Sequence, residues 1–339
     1  MNHANVANRQ GTYVVTYDVA SRLQSFRSRK IQVPSKNDPL FVIFHQCLKE
    51  KLQHALPDAV IDTISMSELR VEIWNQVESR INDLSKQAVL STCPEIADSN
   101  PKSEGLLLNI NRLFNTEGKI IGYGPRPGFR SLDKQLDELA RRIAGRSVVL
   151  IEDGAFTGGT LSYVISELKN RDITVAAVVI GFCCNGSRKV LRSAFEGELV
   201  MVHPVVDLID WIPDHDLIPF IPNCGRVLGE CSDQHIRPIK TISGVSCAFP
   251  YILPFGKIEE WASLPIEDAR EVSAFCLDIS IELFERIGKL NGHQVRIGEV
   301  LGGNSRLSMP VLIGDHESIP TPETEVVAFL RKMRKKLEM

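Results

Sequence analysis

Residues 147–161 read SVVLIEDGAFTGGTL, and the fold follows from this window. Val148-Val149-Leu150-Ile151 is an unbroken apolar run, too short for a helix and rich in β-branched residues. A strand without polar alternation is buried on both faces, as in a parallel sheet covered by helices. The run ends in Glu152 and Asp153, passes through a short loop and enters an amphipathic segment, GTLSYVISELKNR (159–171). Two further apolar runs follow, ITVAAVVIGFCC (173–184) and ELVMVHPVV (198–206), separated by the helical pattern SRKVLRSAFEG (187–197). Strands alternating with helices predict an α/β core with a parallel sheet flanked by helices.

The same window carries chemistry. In open parallel sheets, ligands bind outside the carboxyl ends of the strands. A helix N-terminus adds unpaired N–H groups and the positive end of a dipole. Gly158 and Gly159 let the backbone approach a phosphate closely, and the hydroxyls of Thr157 and Thr160 are short donors. Ala155, Phe156, Thr157, Gly158, Gly159 and Thr160 are therefore the expected phosphate-binding residues. Glu152 and Asp153, one loop-width away, are acceptors suited to the vicinal hydroxyls of a ribose. The segment lacks the GK[ST] ending of a Walker A loop and is not a GxGxxG turn.

An apolar strand, two acids, a short variable stretch and TGGT before a helix resemble the phosphoribosyl diphosphate (PRPP) motif of type I phosphoribosyltransferases. The resemblance implies that Glu152 and Asp153, the expected catalytic pair, bind the ribose 2- and 3-hydroxyls, while the 155–160 loop binds the 5-phosphate. It implies Mg2+, held mainly by diphosphate and ribose oxygens, as a hard, well-hydrated ion prefers. It further implies a glycosyltransferase of the pentosyl class acting in nucleotide metabolism, and a tendency to form homodimers. VDLIDWIPDHDLIPF (206–220) looks like the hood of purine phosphoribosyltransferases, with Trp211 placed to stack on a base and Asp207 or Asp210 to meet a base edge or metal-bound water. His203 and His215 flank that hood.

The chain also departs from the family pattern. The best diphosphate loop is GYGPRPGFR (122–130), with Arg126 or Arg130 as the clamp, because a planar guanidinium pairs with phosphate oxygens. Only one helical pattern, SLDKQLDELARRIAG (131–145), with Ser131 as its cap and Gly145 as its end, separates this loop from Ser147. Three functions stay open: an enzyme transferring phosphoribosyl groups to or from a nucleobase; a non-catalytic sensor of PRPP or a nucleotide; and a partner-restrained effector of a bacterial defence or toxin system, akin to some retron-associated proteins. Release of diphosphate, binding without turnover, and toxicity relieved by a partner separate them.

Outward from the core, three consecutive segments are expected: a mainly helical extension over 1–100, the core over 101–230, and a mostly helical region over 231–339. Thr12 to Tyr17 reads as a short strand. From Leu40 to about Val89 apolar residues recur at helical spacing, interrupted by Leu56-Pro57-Asp58. Ala97 to Gly105 is a polar linker; 106–114 and 119–124 then read as a hairpin turning at Asn115 to Gly118. A long helix is expected from about Ile266 to Leu290, a Gly-rich bend at Gly302-Gly303-Asn304, and a last helix from about Pro322 to Leu337. The extensions offer a surface for a protein partner.

Composition narrows the remaining classes. At 43% hydrophobic and 24% charged residues the chain is that of an ordinary globular protein, and a net charge of -3 gives no footprint for nucleic acid. RKMRKK (331–336) reads as the basic end of the final helix, where it suits the dipole. Eight cysteines form neither a CxxC pair nor a regular framework, so reduced thiols in a cytoplasmic protein are expected. MNHANVANRQ lacks the layout of a signal peptide, and no apolar run is long enough to span a membrane.

Overall fold

A computed structural model describes residues 10–81, 83, 85–97, 105–232, 235–241, 244–302, 306–315 and 319–338. Residues 98–104 of the expected linker and 303–304 of the expected bend lie outside them. The chain divides into two compact units, each built from separated segments: a first of residues 1–63, 112–122 and 209–339, and a second of residues 64–111 and 123–208. This differs from three consecutive segments. The sheet recruits one strand, Gln87–Ser91, from before residue 100, and the C-terminal region shares a core with the first sixty residues.

The second unit holds a five-stranded sheet in the order Leu106–Leu107, Gln87–Ser91, Ser147–Ala155, Val175–Cys184, Glu198–Val205. All four pairings are parallel, as the unbroken apolar runs require. Val148 to Ile151 are fully buried. Val148 and Leu150 join a core with Leu136, Leu139, Val164 and Leu168 from the helices Leu132–Ile143 and Gly159–Lys169. Strand alternation turns Val149 and Ile151 to the other face. The helix Met66–Glu78 packs against the sheet, burying Leu69, Ile73, Trp74 and Val77. Each such aliphatic side chain contributes about 1.5–3 kcal/mol on burial.

Two stretches expected as helix are strands. Ala59–Ser65 buries Ala59 and Ile61 and exposes Val60 and Asp62, a period of two that helical spacing had masked. Gln87–Ser91 is only five residues long and was absorbed into the helical pattern before it. The expected hairpin forms between Ile110–Phe114 and Ile120–Pro125, with Gly118 at φ 77° and its N–H donating to the Asn115 carbonyl at 2.9 Å. Ser131 sits at the helix N-cap without a side-chain cap bond. Gln135 orders this junction instead: its amide donates to the Arg130 carbonyl at 2.7 Å and its Oε1 accepts from the Asn109 N–H at 2.9 Å.

In the first unit, Gly11–Tyr17 lies between Leu208–Pro213 and Ala59–Ser65. Short strands at Arg226–Val227, Cys247–Phe249 and Met309–Pro310 form a second sheet, so the C-terminal region is less helical than expected. The helices Pro39–Ala55, Ile266–Asn291 and Val326–Lys336 enclose its core. The last helix begins later than Pro322 because Val326 N–H is engaged by the Val295 carbonyl at 3.1 Å. The two arginines of its basic run pair within the unit, Arg334 to Asp278 at 2.9 Å and Arg331 to Glu285 at 2.5 Å. Among the described residues no helix is long and apolar enough to cross a membrane.

Candidate functional site

Strand order in the second unit reverses between Gln87–Ser91 and Ser147–Ala155. From the former the chain moves outward to Leu106–Leu107; from the latter it proceeds the opposite way to Val175–Cys184 and Glu198–Val205. Such a switch point opens a crevice beyond the carboxyl ends of the two central strands. The chain leaving the first of these strands is Thr92-Cys93-Pro94-Glu95, and the second carries Glu152 and Asp153 in its last residues before Ala155. Topology therefore faces a loop that sequence reasoning did not single out against the expected acidic pair.

The contacts there are specific. The Cys93 thiol donates toward Asp153 Oδ2 and toward Glu95 Oε2, each at 3.4 Å. Asp153 also accepts from the Gly154 N–H at 2.9 Å and hydrogen-bonds with Glu152. Burial pushes Asp153 above the usual carboxylate range, with the neighbouring Glu95 adding to the rise, while the bonds to Glu152 and Cys93 and the charge of Arg126 oppose it. Burial likewise pushes the Cys93 thiol well up, and the carboxylates of Asp153, Glu95 and Glu152 add to this. Cys93 is thus a protonated donor to carboxylates and not a thiolate nucleophile.

Arg126 comes to the same place from the expected clamp loop. Its N–H donates to the Asn109 carbonyl at 2.9 Å, and its Nη2 reaches the Thr92 carbonyl at 3.1 Å. Its Nε is buried and makes no hydrogen bond. Arg130, four residues on, is turned away: it pairs with Glu138 at 3.3 Å and its side chain is 74% exposed. Of the two candidate clamps, the structure brings only Arg126 to the acids.

The loop from Ala155 to Thr160 has the backbone its sequence demands. Gly158 is the helix N-cap at φ 76°, a conformation costly for residues with a Cβ. A Cβ there would also lie 3.2 Å from the Ser187 carbonyl oxygen, at the start of the helix Asn185–Ala194. A Cβ on Gly159 would stand 2.7 Å from Tyr123 Oη, whose ring stacks on Tyr163 at 4.7 Å. The N-cap glycine has no side chain to cap the helix, and Thr157 Oγ1 accepts from its first N–H, that of Gly159, at 3.4 Å. Phe156 and Thr157 are exposed, Ala155 and Gly158 are buried, and Gly159 and Thr160 are half-buried. The Cys184 thiol donates to the Phe156 carbonyl at 3.1 Å and pins the loop to the next strand end. The N-terminus of the helix Gly159–Lys169 thus opens on the glycine turn, an arrangement suited to an anion, whereas the helix Asn185–Ala194 is capped by the Cys184 sulfur, which accepts from the Ser187 N–H at 3.5 Å. Gly181 was also missed: a Cβ there would lie 2.2 Å from the Asp153 carbonyl oxygen, so only glycine lets the neighbouring strand pass Asp153 at this spacing.

Trp211 belongs to the first unit, where its indole N–H donates to Thr16 Oγ1 at 2.7 Å. Asp210, in the same strand, accepts from the Trp211 N–H at 2.8 Å, and burial raises it to about 6. Asp207 is exposed in a turn of the second unit. His203, also of the second unit, pairs with Glu72 and stacks on Phe182.

His215 lies in a buried network of the first unit. Its Nδ1 meets Asp18 Oδ1 at 2.8 Å, Arg22 pairs with Asp18 at 2.6 Å, and Asp214 Oδ1 accepts from the N–H groups of Asp18 and Val19. Asp214 Oδ2 lies 2.9 Å from His45 Nε2. Burial raises Asp214 well above its ordinary value, with Asp18 adding to the rise, and burial lowers His45 to about 4. With its pKa near 4 the His45 imidazole is neutral near pH 7, so that contact is a hydrogen bond and not an ion pair there. Asp18, Asp214 and His215 are the one group of candidate metal ligands found among the described residues.

No protein-family model matches the chain, and no curated protein matches it.

Proposed function

We propose that the second unit binds PRPP or a ribose 5-phosphate nucleotide with Mg2+ and transfers the phosphoribosyl group to or from a nucleobase. One observation carries this reading: the acidic strand end, the glycine turn and the loop carrying Tyr123 and Arg126 meet at a topological switch point of a parallel sheet. The N–H groups of the glycine turn take the 5-phosphate. Glu152 and Asp153 accept from the ribose hydroxyls and stabilise the positive charge that develops at the ribosyl carbon as its bond to the leaving group breaks. Mg2+, held mainly by the diphosphate and ribose oxygens of the ligand, would neutralise charge on a diphosphate.

The test is calorimetry of the full chain with ribose 5-phosphate and with PRPP, followed by assay of released diphosphate across purine and pyrimidine bases. Glu152→Ala with Asp153→Ala should abolish ribose-phosphate affinity and leave the fold intact by circular dichroism; unchanged affinity removes the site. A second reading, a sensor or partner-restrained effector that binds without turnover, is favoured by the pairing of Arg130 with Glu138, which leaves one guanidinium at the acids. Binding with no diphosphate release selects it.

A further inference from the structure

Resting on the reading of the second unit as a phosphoribosyl site, we propose that Asn109 and Arg126 form its nucleobase subsite, with the Asn109 carboxamide and Arg126 Nε reading the edge of the base. Asn109 lies just past the strand Leu106–Leu107, and its main chain is fully engaged. Its N–H donates to Gln135 Oε1 at 2.9 Å, and its carbonyl accepts from the Arg126 N–H at 2.9 Å and from Gln135 Nε2 at 3.3 Å. The side chain is the reverse. Asn109 is only 7% exposed, yet its Oδ1 is buried with no hydrogen-bond partner, and the Nε of Arg126, its backbone partner, is buried with none either. Buried polar atoms normally find partners, and an unpaired one costs stability. Two of them on residues joined by a backbone bond mark a place where a ligand supplies what the fold omits.

Position and chemistry choose the ligand group. Asn109 and Thr92 lie past the carboxyl ends of the paired parallel strands Leu106–Leu107 and Gln87–Ser91, and Arg126 Nη2 ties its own loop to the Thr92 carbonyl at 3.1 Å. The chain reaches Arg126 from Tyr123, whose Oη would stand 2.7 Å from a Cβ on Gly159 in the glycine turn. Three residues of extended chain span about 10 Å, the scale of a ribose together with the group on its C1 carbon. A nucleotide with its 5-phosphate on the turn therefore brings that group to Asn109. The unmet atoms there are a donor, Arg126 Nε, and a carboxamide whose oxygen is an acceptor. A diphosphate offers acceptors only and leaves Oδ1 unpaired. A nucleobase edge sets an N–H beside an acceptor, so it meets the carboxamide and the guanidinium together.

The experiment is calorimetric titration of the full chain and of its Asn109→Leu variant with the four common ribonucleoside 5′-monophosphates, PRPP and ribose 5-phosphate, alongside thermal unfolding of both. In the wild-type chain at least one monophosphate is expected to bind about tenfold or more tighter than ribose 5-phosphate. Asn109→Leu is expected to erase that advantage and leave ribose 5-phosphate and PRPP where they were. It is also expected to raise the unfolding midpoint, because an apolar side chain of similar size replaces an unpaired amide. If no monophosphate outbinds ribose 5-phosphate, if the variant keeps the advantage, or if it weakens ribose 5-phosphate to the same degree, the proposal is overturned and the phosphoribosyl reading stands. A loss confined to PRPP overturns it too, by assigning Asn109 to the leaving group. Failure of every ligand on the wild-type chain, ribose 5-phosphate included, overturns both.

Discussion

In the first unit, Asp18, Asp214, His215, His45 and Arg22 close on one another; in the second, Glu152, Asp153 and Glu95 converge on the Cys93 thiol beside Arg126. Both groups are carboxyl-rich and both shift proton affinity. The first is satisfied from within: Asp214 stitches the end of the Gly11–Tyr17 strand to the helix Pro39–Ala55 through two backbone N–H groups and His45. The second has a buried arginine nitrogen without a hydrogen-bond partner and a helix whose N-cap is a glycine. Buried polar groups that meet their own needs hold a fold together, whereas groups left wanting partners beside a loop await a ligand.

Mutation sharpens this contrast most strongly at Asp18. Burial acts to raise its pKa, yet Arg22 and His215 outweigh burial and hold it well below the carboxylate range. Asp18→Ala strands the buried Arg22 guanidinium and removes the acceptor at His215 Nδ1, and should cost about 3–5 kcal/mol in denaturant unfolding. Glu152→Gln with Asp153→Asn, by contrast, should move stability by less than about 1 kcal/mol, since it removes carboxylates crowded against another carboxylate. Equal losses in the two variants would erase the distinction.

A pH series sharpens the comparison next. Asp210 is raised by burial from 3.8 to about 6, so its contribution to stability is complete below about pH 4 and is lost as pH rises through 6. His45 runs the other way: lowered by burial from 6.5 to about 4, it contributes above pH 6.5 and loses that contribution as pH falls through 4. Asp210→Asn keeps an oxygen for the Trp211 N–H and removes the ionisation, while His45 cancels in the difference from wild type. The variant should gain on the order of 2 to 3 kcal/mol relative to wild type between pH 4 and pH 8. A flat difference across that range would show that Asp210 ionises freely.

How far this was legible in the sequence depends on whether a contact is local. The strands Ser147–Ala155, Val175–Cys184 and Glu198–Val205 and the glycine turn between the first of them and its helix follow from neighbouring residues alone. Gln87–Ser91 did not, because five residues after a helical pattern carry too little periodicity to declare themselves. That omission hid the partner of the central strand, and with it the switch point. Cys93 and Glu95 lie some sixty residues before Asp153 and join it only through sheet order. The contact of the Trp211 indole N–H with Thr16 in the first unit spans nearly two hundred residues and was equally beyond local reading.

Arg126 and Arg130 give the finest cut, because four residues of one loop assign them opposite work. Arg126 is held by its own backbone bond to Asn109 and by the Thr92 carbonyl, so its position costs little further entropy when a ligand arrives. Arg130 sits in a largely exposed pair with Glu138, a type that contributes about 0 to 1 kcal/mol at most. Arg126→Gln should weaken ribose 5-phosphate binding about three- to tenfold, since it leaves the carboxyl groups uncompensated beside the ribose. Arg130→Ala should leave both affinity and unfolding midpoint where they were. If calorimetry instead finds the larger loss at Arg130, the loop must swing on binding to bring that guanidinium to the ligand, and the open cluster is completed from outside instead of from Arg126.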